Sequence, residues 1–202
     1  MNKYSISIFL FFLFVVFVNA QTDKTYKKAL KEHRKSYKKA FVENDQGPLD
    51  NKGVKKMDFY KANESFIVEA AVELTPDSKP FEMATYSGIT KTYRKYATLS
   101  FEINGEPHQL AVYQNMKLMR MPMYRNRLFL PFKDATNGDD TYGGGRYIDM
   151  STNNIVDGKI EIDFNKAYNP YCAYSDGYNC PVPPLENHLK SAILVGEKNY
   201  VE

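Results

Sequence analysis

The sequence predicts a mainly β domain, an antiparallel sandwich or a partly open barrel, preceded by one amphipathic helix. Three observations carry this. From about residue 66 onward, short runs alternate apolar and polar residues with the period of two expected of half-buried strands. Turn formers such as Asn104-Gly105 and Asp157-Gly158 punctuate those runs. Before residue 45 the apolar residues recur at helical steps instead.

The first element is a leader. Lys3 precedes an apolar run from Ile6 to Val18, and Val18-Asn19-Ala20 offers a small residue at a cut site. That is the pattern of a secretory signal peptide. A bilayer span needs about 20 apolar residues, so the run is short for an anchor. The chain therefore divides into a signal peptide (1–20), a basic helix (21–45) and a β-rich domain (46–202). After cleavage near Ala20 the protein is expected in the periplasm or outside the cell. The formal charge of +3 loses only Lys3. A balance that mild excludes nucleic acid as the expected partner.

The helix is expected over Asp23 to Asn44. Tyr26, Leu30, His33, Tyr37 and Phe41, with Ala29 and Ala40, form its apolar face. Its other face carries Lys24, Lys27, Lys28, Lys31, Arg34, Lys35, Lys38 and Lys39 against Glu32. Such a face is either simply solvated or makes weak contact with an anionic membrane surface. Gln46-Gly47-Pro48 ends the helix.

Strands follow. Phe66, Val68, Ala70, Val72 and Leu74 alternate with a more polar set. Further strands are expected at 82–86, 91–103, 108–113, 128–132, 145–150 and 159–164, with a final one at 191–195. Asn104-Gly105 and Asp157-Gly158 each predict a hairpin. Pro181, Pro183 and Pro184 forbid regular pairing and lay down an extended segment. The wealth of Tyr and Phe fits strand propensity without a ligand.

The two cysteines, Cys172 and Cys180, have seven residues between them. In an oxidising compartment they are expected to form a disulfide. Its stabilisation would be about 2–3 kcal/mol in the chain-entropy model. The paired spacing of structural zinc sites is absent, and no metal or cofactor is expected.

The residues that packing alone rarely requires lie between 134 and 149. Gly143, Gly144 and Gly145 can aim backbone N–H groups at a ligand, and Arg146 can add a guanidinium. Together they would suit a carboxylate, sulfate or phosphate. No Gly-Lys-Ser/Thr follows, and Ile148 stands where a dinucleotide fingerprint needs glycine. The same glycines can equally make a bulge or a close strand contact. Asn137, Tyr142, Asn165 and Glu186 are the side chains expected to orient a ligand, although buried amides more often satisfy backbone groups. Glu186 is a candidate partner for Arg146. Asp134, Asn137, Asp139 and Asp140 lack the spacing of an EF-hand loop.

These residues carry a resemblance. The stretch from Phe132 to Asp149, that from Asp163 to Tyr174, the segment Cys180-Pro-Val-Pro-Pro-Leu-Glu-Asn-His-Leu189 and Gly196-Glu197 resemble the signature of the domain of unknown function 1684 family. The similarity extends more weakly back to about Gly47. Gly144 departs from the alanine often expected at that position, and His188 from an arginine. The resemblance implies a β-rich domain and brings no established activity.

Three functions compete. The first is binding of a small polar or anionic molecule through the Gly-Gly-Gly-Arg loop. The second is a hydrolase-like enzyme using Asp149, Asp163 or Glu186 beside Arg146. The third is a cell-envelope module in which the polar block is an internal network fixing the Pro-rich tail.

Overall fold

The computed structural model describes residues 24–201; the signal peptide expected over residues 1–20 lies outside the described ones. Helix α1 spans residues 24–43 and a single turn, α2, spans Gly53–Lys56. Seven antiparallel strands follow: β1 (Ile67–Leu74), β2 (Phe81–Met83), β3 (Lys91–Ile103), β4 (Glu106–Asn115), β5 (Arg127–Phe132), β6 (Arg146–Ser151) and β7 (Lys159–Asp163). They form one curled, half-barrel sheet in the order β6-β5-β4-β3-β1-β7, with β2 paired to β3. The partly open barrel is thus the form adopted.

Local chemistry sets the connections. Asn104 and Gly105 have φ of 53° and 81°, which closes the β3–β4 hairpin with the two-residue turn that matches strand twist. Asp157-Gly158 makes a second tight turn, with Val156 and Lys159 exchanging both backbone hydrogen bonds at 2.9 Å.

The main core lies on one sheet face. Val68, Ala70, Leu99, Leu110, Leu130 and Ile162 meet there, and Phe164, Ile193 and Val195 seal it. The expected strand at 191–195 does not form. Its apolar side chains plug the core while its carbonyls turn to a side chain, described below.

The opposite face is also covered. Residues 110–114 of β4 are buried without alternation, because the strand has packing on both sides. A β-bulge shifts the β3–β4 register between Lys95 and Ala97. The extra residue reverses parity. Ala97 and Leu99 therefore join the main core, while Tyr93 pairs across from Asn115 and joins Ala111, Tyr113, Met83 and Phe129 on the other face.

Helix α1 docks through Leu30 and Phe41, both 2% exposed. Phe41 packs with Val54, Met57 and Tyr174. The buried stripe is rotated from the one the apolar residues suggested. Ala29, His33 and Ala40 are exposed, whereas Arg34 and Lys38 are half-buried over the ring of Phe59. It is the charged groups that lie over the ring: the Arg34 guanidinium is 4.7 Å and the Lys38 ammonium 5.4 Å from its centroid, a cation–π arrangement. Lys38 donates to the Met57 carbonyl at 2.9 Å.

Candidate functional site

Arg146 begins β6 directly opposite Phe132, on the same face as Ile148 and Leu130. Strand parity therefore points it into the main core, where it is 0% exposed. Its Nη2 donates to Asp134 Oδ2 at 2.8 Å and to the Ile193 carbonyl at 2.9 Å. Its Nη1 donates to the carbonyls of Val195 and Glu197. The guanidinium also lies 5.4 Å from the Phe132 ring centroid. Nε has no partner. This arrangement corrects the expectation that Arg146 meets a ligand: its charge is neutralised by Asp134 and its donors hold the C-terminal tail.

The neighbours are spent in the same way. Asp134 accepts from Thr136 N, Thr136 Oγ1 and Ile193 N besides Arg146. Asn137 ties its loop together, accepting from Asp134 N at 2.7 Å and donating to Thr141 Oγ1 and the Tyr142 carbonyl. Gly145 has φ of +90°, and a Cβ there would sit 2.6 Å from the Phe132 carbonyl oxygen. It is glycine because β6 must approach β5 closely. Gly144 is crowded by the Tyr142 ring and its carbonyl accepts from Tyr86 Oη at 2.8 Å, while Gly143 is exposed. Asn165 bonds both the N–H and the C=O of Asn63. It satisfies backbone.

The carboxylates proposed for acid–base work do not gather at Arg146. Glu186 accepts from Lys95 Nζ and Tyr113 Oη, each at 2.7 Å. Burial pushes its carboxyl up, but those two hydrogen bonds outweigh it and hold it below the usual carboxylate range. Asp149 pairs with Arg127 at 2.7 Å. Asp163 takes Tyr26 Oη and Lys166 Nζ. Among the described residues no group of three or more His, Cys, Asp or Glu could hold a metal ion.

The concave feature lies on the other sheet face. Tyr93, Phe129, Tyr147 and Arg127 point there from β3, β5 and β6, opposite in parity to Leu130 and Ile148. With Tyr168, Tyr171 and Tyr178 from the segment after β7, and Tyr124 and Leu118 from the β4–β5 connection, they enclose a cavity of about 340 Å³. Seven of its lining residues are aromatic, and Asn115, Asn169 and Asn179 add amides. Lys91 and Arg127 supply the cations. The disulfide Cys172–Cys180 ties the wall segment that carries Tyr178 and Asn179. Lys91 Nζ donates to the Asn179 carbonyl.

Burial pushes the phenols of Tyr93, Tyr147 and Tyr168 above their ordinary range, so all three remain hydrogen-bond donors at neutral pH. Burial pulls the Arg127 guanidinium down, but Asp149 beside it outweighs this and keeps it charged. Among the lining residues there is no carboxylate, imidazole or free thiol. What the wall offers is stacking, hydrogen bonding, the Lys91 ammonium and an Arg127 guanidinium already shared with Asp149. A second cavity of about 360 Å³ lies beneath α1 and shares Arg127, Tyr168 and Tyr171 with the first.

Glu197 braces the assembly. It is 1% exposed and accepts from Tyr174 Oη, Tyr37 Oη and Asn169 N. One carboxyl thus joins α1, the disulfide-closed segment and the tail. Burial pushes it up to about 7. Asn169 donates to the Lys198 carbonyl and also lines the aromatic cavity.

Fold and site define a class: a half-barrel β domain with an aromatic cavity on one sheet face and a buried ion pair on the other. The chain belongs to the family described as "Protein of unknown function (DUF1684)", whose model matches residues 52–198. Among solved structures it is similar to the solution NMR structure of an uncharacterized protein from gene locus rrnAC0354 of Haloarcula marismortui. The identity is 31% and the TM-score 0.68, over 90% of this chain and 98% of that one. No curated protein matches.

Sequence reasoning missed the cavity residues because each tyrosine can be explained singly by strand propensity. The available signal was Tyr168, Tyr171 and Tyr178, three tyrosines beyond the last expected strand before them and around Pro170.

Proposed function

We propose that this is an exported binding domain that takes a small ring-bearing acid into the tyrosine-lined cavity. The observation that carries the reading is the cavity wall itself. Aromatic faces stack on a ring, and Asn115, Asn169 and Asn179 suit hydroxyls or a carboxyl. Arg127 and Lys91 suit the acid group. A volume of about 340 Å³ accommodates one ring system with its substituents. The disulfide supports an oxidising compartment. Among the described residues no helix is long and apolar enough to cross a membrane.

The ligand class stays small, polar and anionic, but its contacts move from the Gly-Gly-Gly-Arg loop to the face behind it. Sugar acids and aromatic carboxylates share the required chemistry. Saturation-transfer NMR against both sets separates them. Leu118→Trp, which fills the cavity from its rim, should abolish binding of every hit. Binding that survives Leu118→Trp at full strength would place the ligand elsewhere.

The exposed outer lysines of α1, among them Lys31 and Lys35, support a second, weak contact with anionic surfaces. Co-sedimentation with phosphatidylglycerol vesicles at low and high salt tests it.

A further inference from the structure

The connection from β4 to β5 reads Met116-Lys-Leu-Met-Arg-Met-Pro-Met123. Half of the eight methionines of the chain fall in these eight residues. Methionine is normally a core residue. Here none of the four is buried: Met116 and Met119 are intermediate, Met121 is 44% exposed and Met123 80% exposed. Packing therefore does not explain the run.

The backbone of this connection is fixed. Asn115 Oδ1 accepts from the N–H groups of Lys117 and Leu118, both at 3.0 Å, and starts a one-turn 3-10 helix at Leu118–Arg120. Met121 N closes that turn onto the Leu118 carbonyl at 2.8 Å, and the Met121 carbonyl accepts from Tyr124 N in the next turn. Met116 and Met121, at opposite ends of the first turn, line the same surface groove. Met119 lies between them in sequence, and Met123 follows two residues on.

We propose that this loop is a thioether site for a soft monovalent cation, Cu(I) or Ag(I). Thioether sulfur is a soft, uncharged donor that selects Cu(I) over harder ions. The flexible methionine stem lets several sulfurs converge on one ion without moving the backbone. Lys117 and Arg120 are exposed in the same loop and carry positive charge. Their repulsion is twice as large for a dication, which disfavours Zn(II) and Ca(II) relative to a monocation. The two cysteines are joined to each other, so no thiol competes. The groove shares Lys91, Tyr93, Asn115 and Leu118 with the aromatic cavity, but the methionine proposal does not depend on the ring-acid reading.

The test uses the full-length mature protein and silver nitrate, with Cu(I) under ascorbate as the second probe. Methyl-13C methionine NMR should show the resonances of Met116, Met119, Met121 and Met123 moving on Ag(I) addition, with Met57, Met83 and Met150 unmoved. Zn(II) should move none. The variant Met119→Leu/Met121→Leu/Met123→Leu keeps apolar bulk and removes sulfur, and should bind Ag(I) at least tenfold more weakly with an unchanged melting temperature. The single Met123→Leu, at a position 80% exposed, provides a variant whose folding is not at issue; it too should weaken binding. Unchanged affinity in both variants, or no methionine shift in the wild type, would overturn the proposal. The first result would leave the loop as an apolar docking surface, which leucine also serves.

Discussion

Arg146→Ala is expected to damage folding rather than binding, and the structure sets the size of the effect. The substitution leaves the Asp134 carboxylate, 0% exposed at its side chain, without its counter-charge. Removing one member of a buried pair typically costs about 3–5 kcal/mol. The carbonyls of Ile193, Val195 and Glu197 also lose their donor. Each unsatisfied buried acceptor costs up to about 1–3 kcal/mol, reduced where water enters. A total near or above about 4 kcal/mol is a large share of a domain stability of about 5–15 kcal/mol. At about 2–4 °C per kcal/mol for a domain of this length, the melting temperature should fall by roughly 8–16 °C. Circular dichroism melts and urea titrations measure it. The double variant Asp134→Asn/Arg146→Met, which leaves neither charge alone, should recover part of the loss. An Arg146→Ala protein melting within about 2 °C of wild type would refute the scaffold role.

Other substitutions give outcomes that separate the parts of the account. Glu197, held up at about 7 by burial, should make the wild type lose stability as pH rises. The unfolded carboxyl ionises near its usual value of about 4.3 while the folded one stays protonated until about 7, so the loss falls between those pH values and is on the order of 3 kcal/mol. Urea midpoints of Glu197→Gln should show that part of the slope removed; identical slopes in both proteins would count against it. Replacing Cys172 and Cys180 together by serine should cost about 2–3 kcal/mol and weaken ligand binding as the segment bearing Tyr178 loosens, measured by urea titration and calorimetry. Gly145→Ala should cost at least about 2 kcal/mol, because φ is +90° and the new Cβ meets backbone. Gly143→Ala, where the nearest heavy atom would be 3.7 Å away, should unfold within about 0.5 kcal/mol of wild type.

The strands were legible because one sheet face is a continuous core, so alternation in 66–72 and 97–103 maps directly onto burial. Hairpin positions were legible because Asn-Gly and Asp-Gly admit positive φ where few other pairs do. The 191–195 segment reads as a strand for its apolar content, yet it pairs with a side chain rather than a strand. Arg146 was singled out as a ligand contact, whereas its guanidinium is buried against Asp134 and the tail carbonyls. Its parity with Ile148 and Met150 was the sign that it faces inward, and the glycines before it drew attention away. The cavity was hidden for a different reason: the bulge in β3 changes which face Tyr93 joins, and no local pattern announces it. Arg34 and Lys38 read as solvated charges because a cation placed over the Phe59 ring leaves no periodic trace.

The most direct measurement is isothermal calorimetry of a ring-bearing acid identified by NMR, titrated into wild type, Arg127→Gln and Leu118→Trp. A charge-assisted hydrogen bond contributes about 1.5–3 kcal/mol, so Arg127→Gln should bind roughly ten- to a hundredfold more weakly. Leu118→Trp should not bind. Equal affinity in all three proteins, or no binder among sugar acids and aromatic carboxylates at millimolar concentration, would contradict the cavity as the binding site.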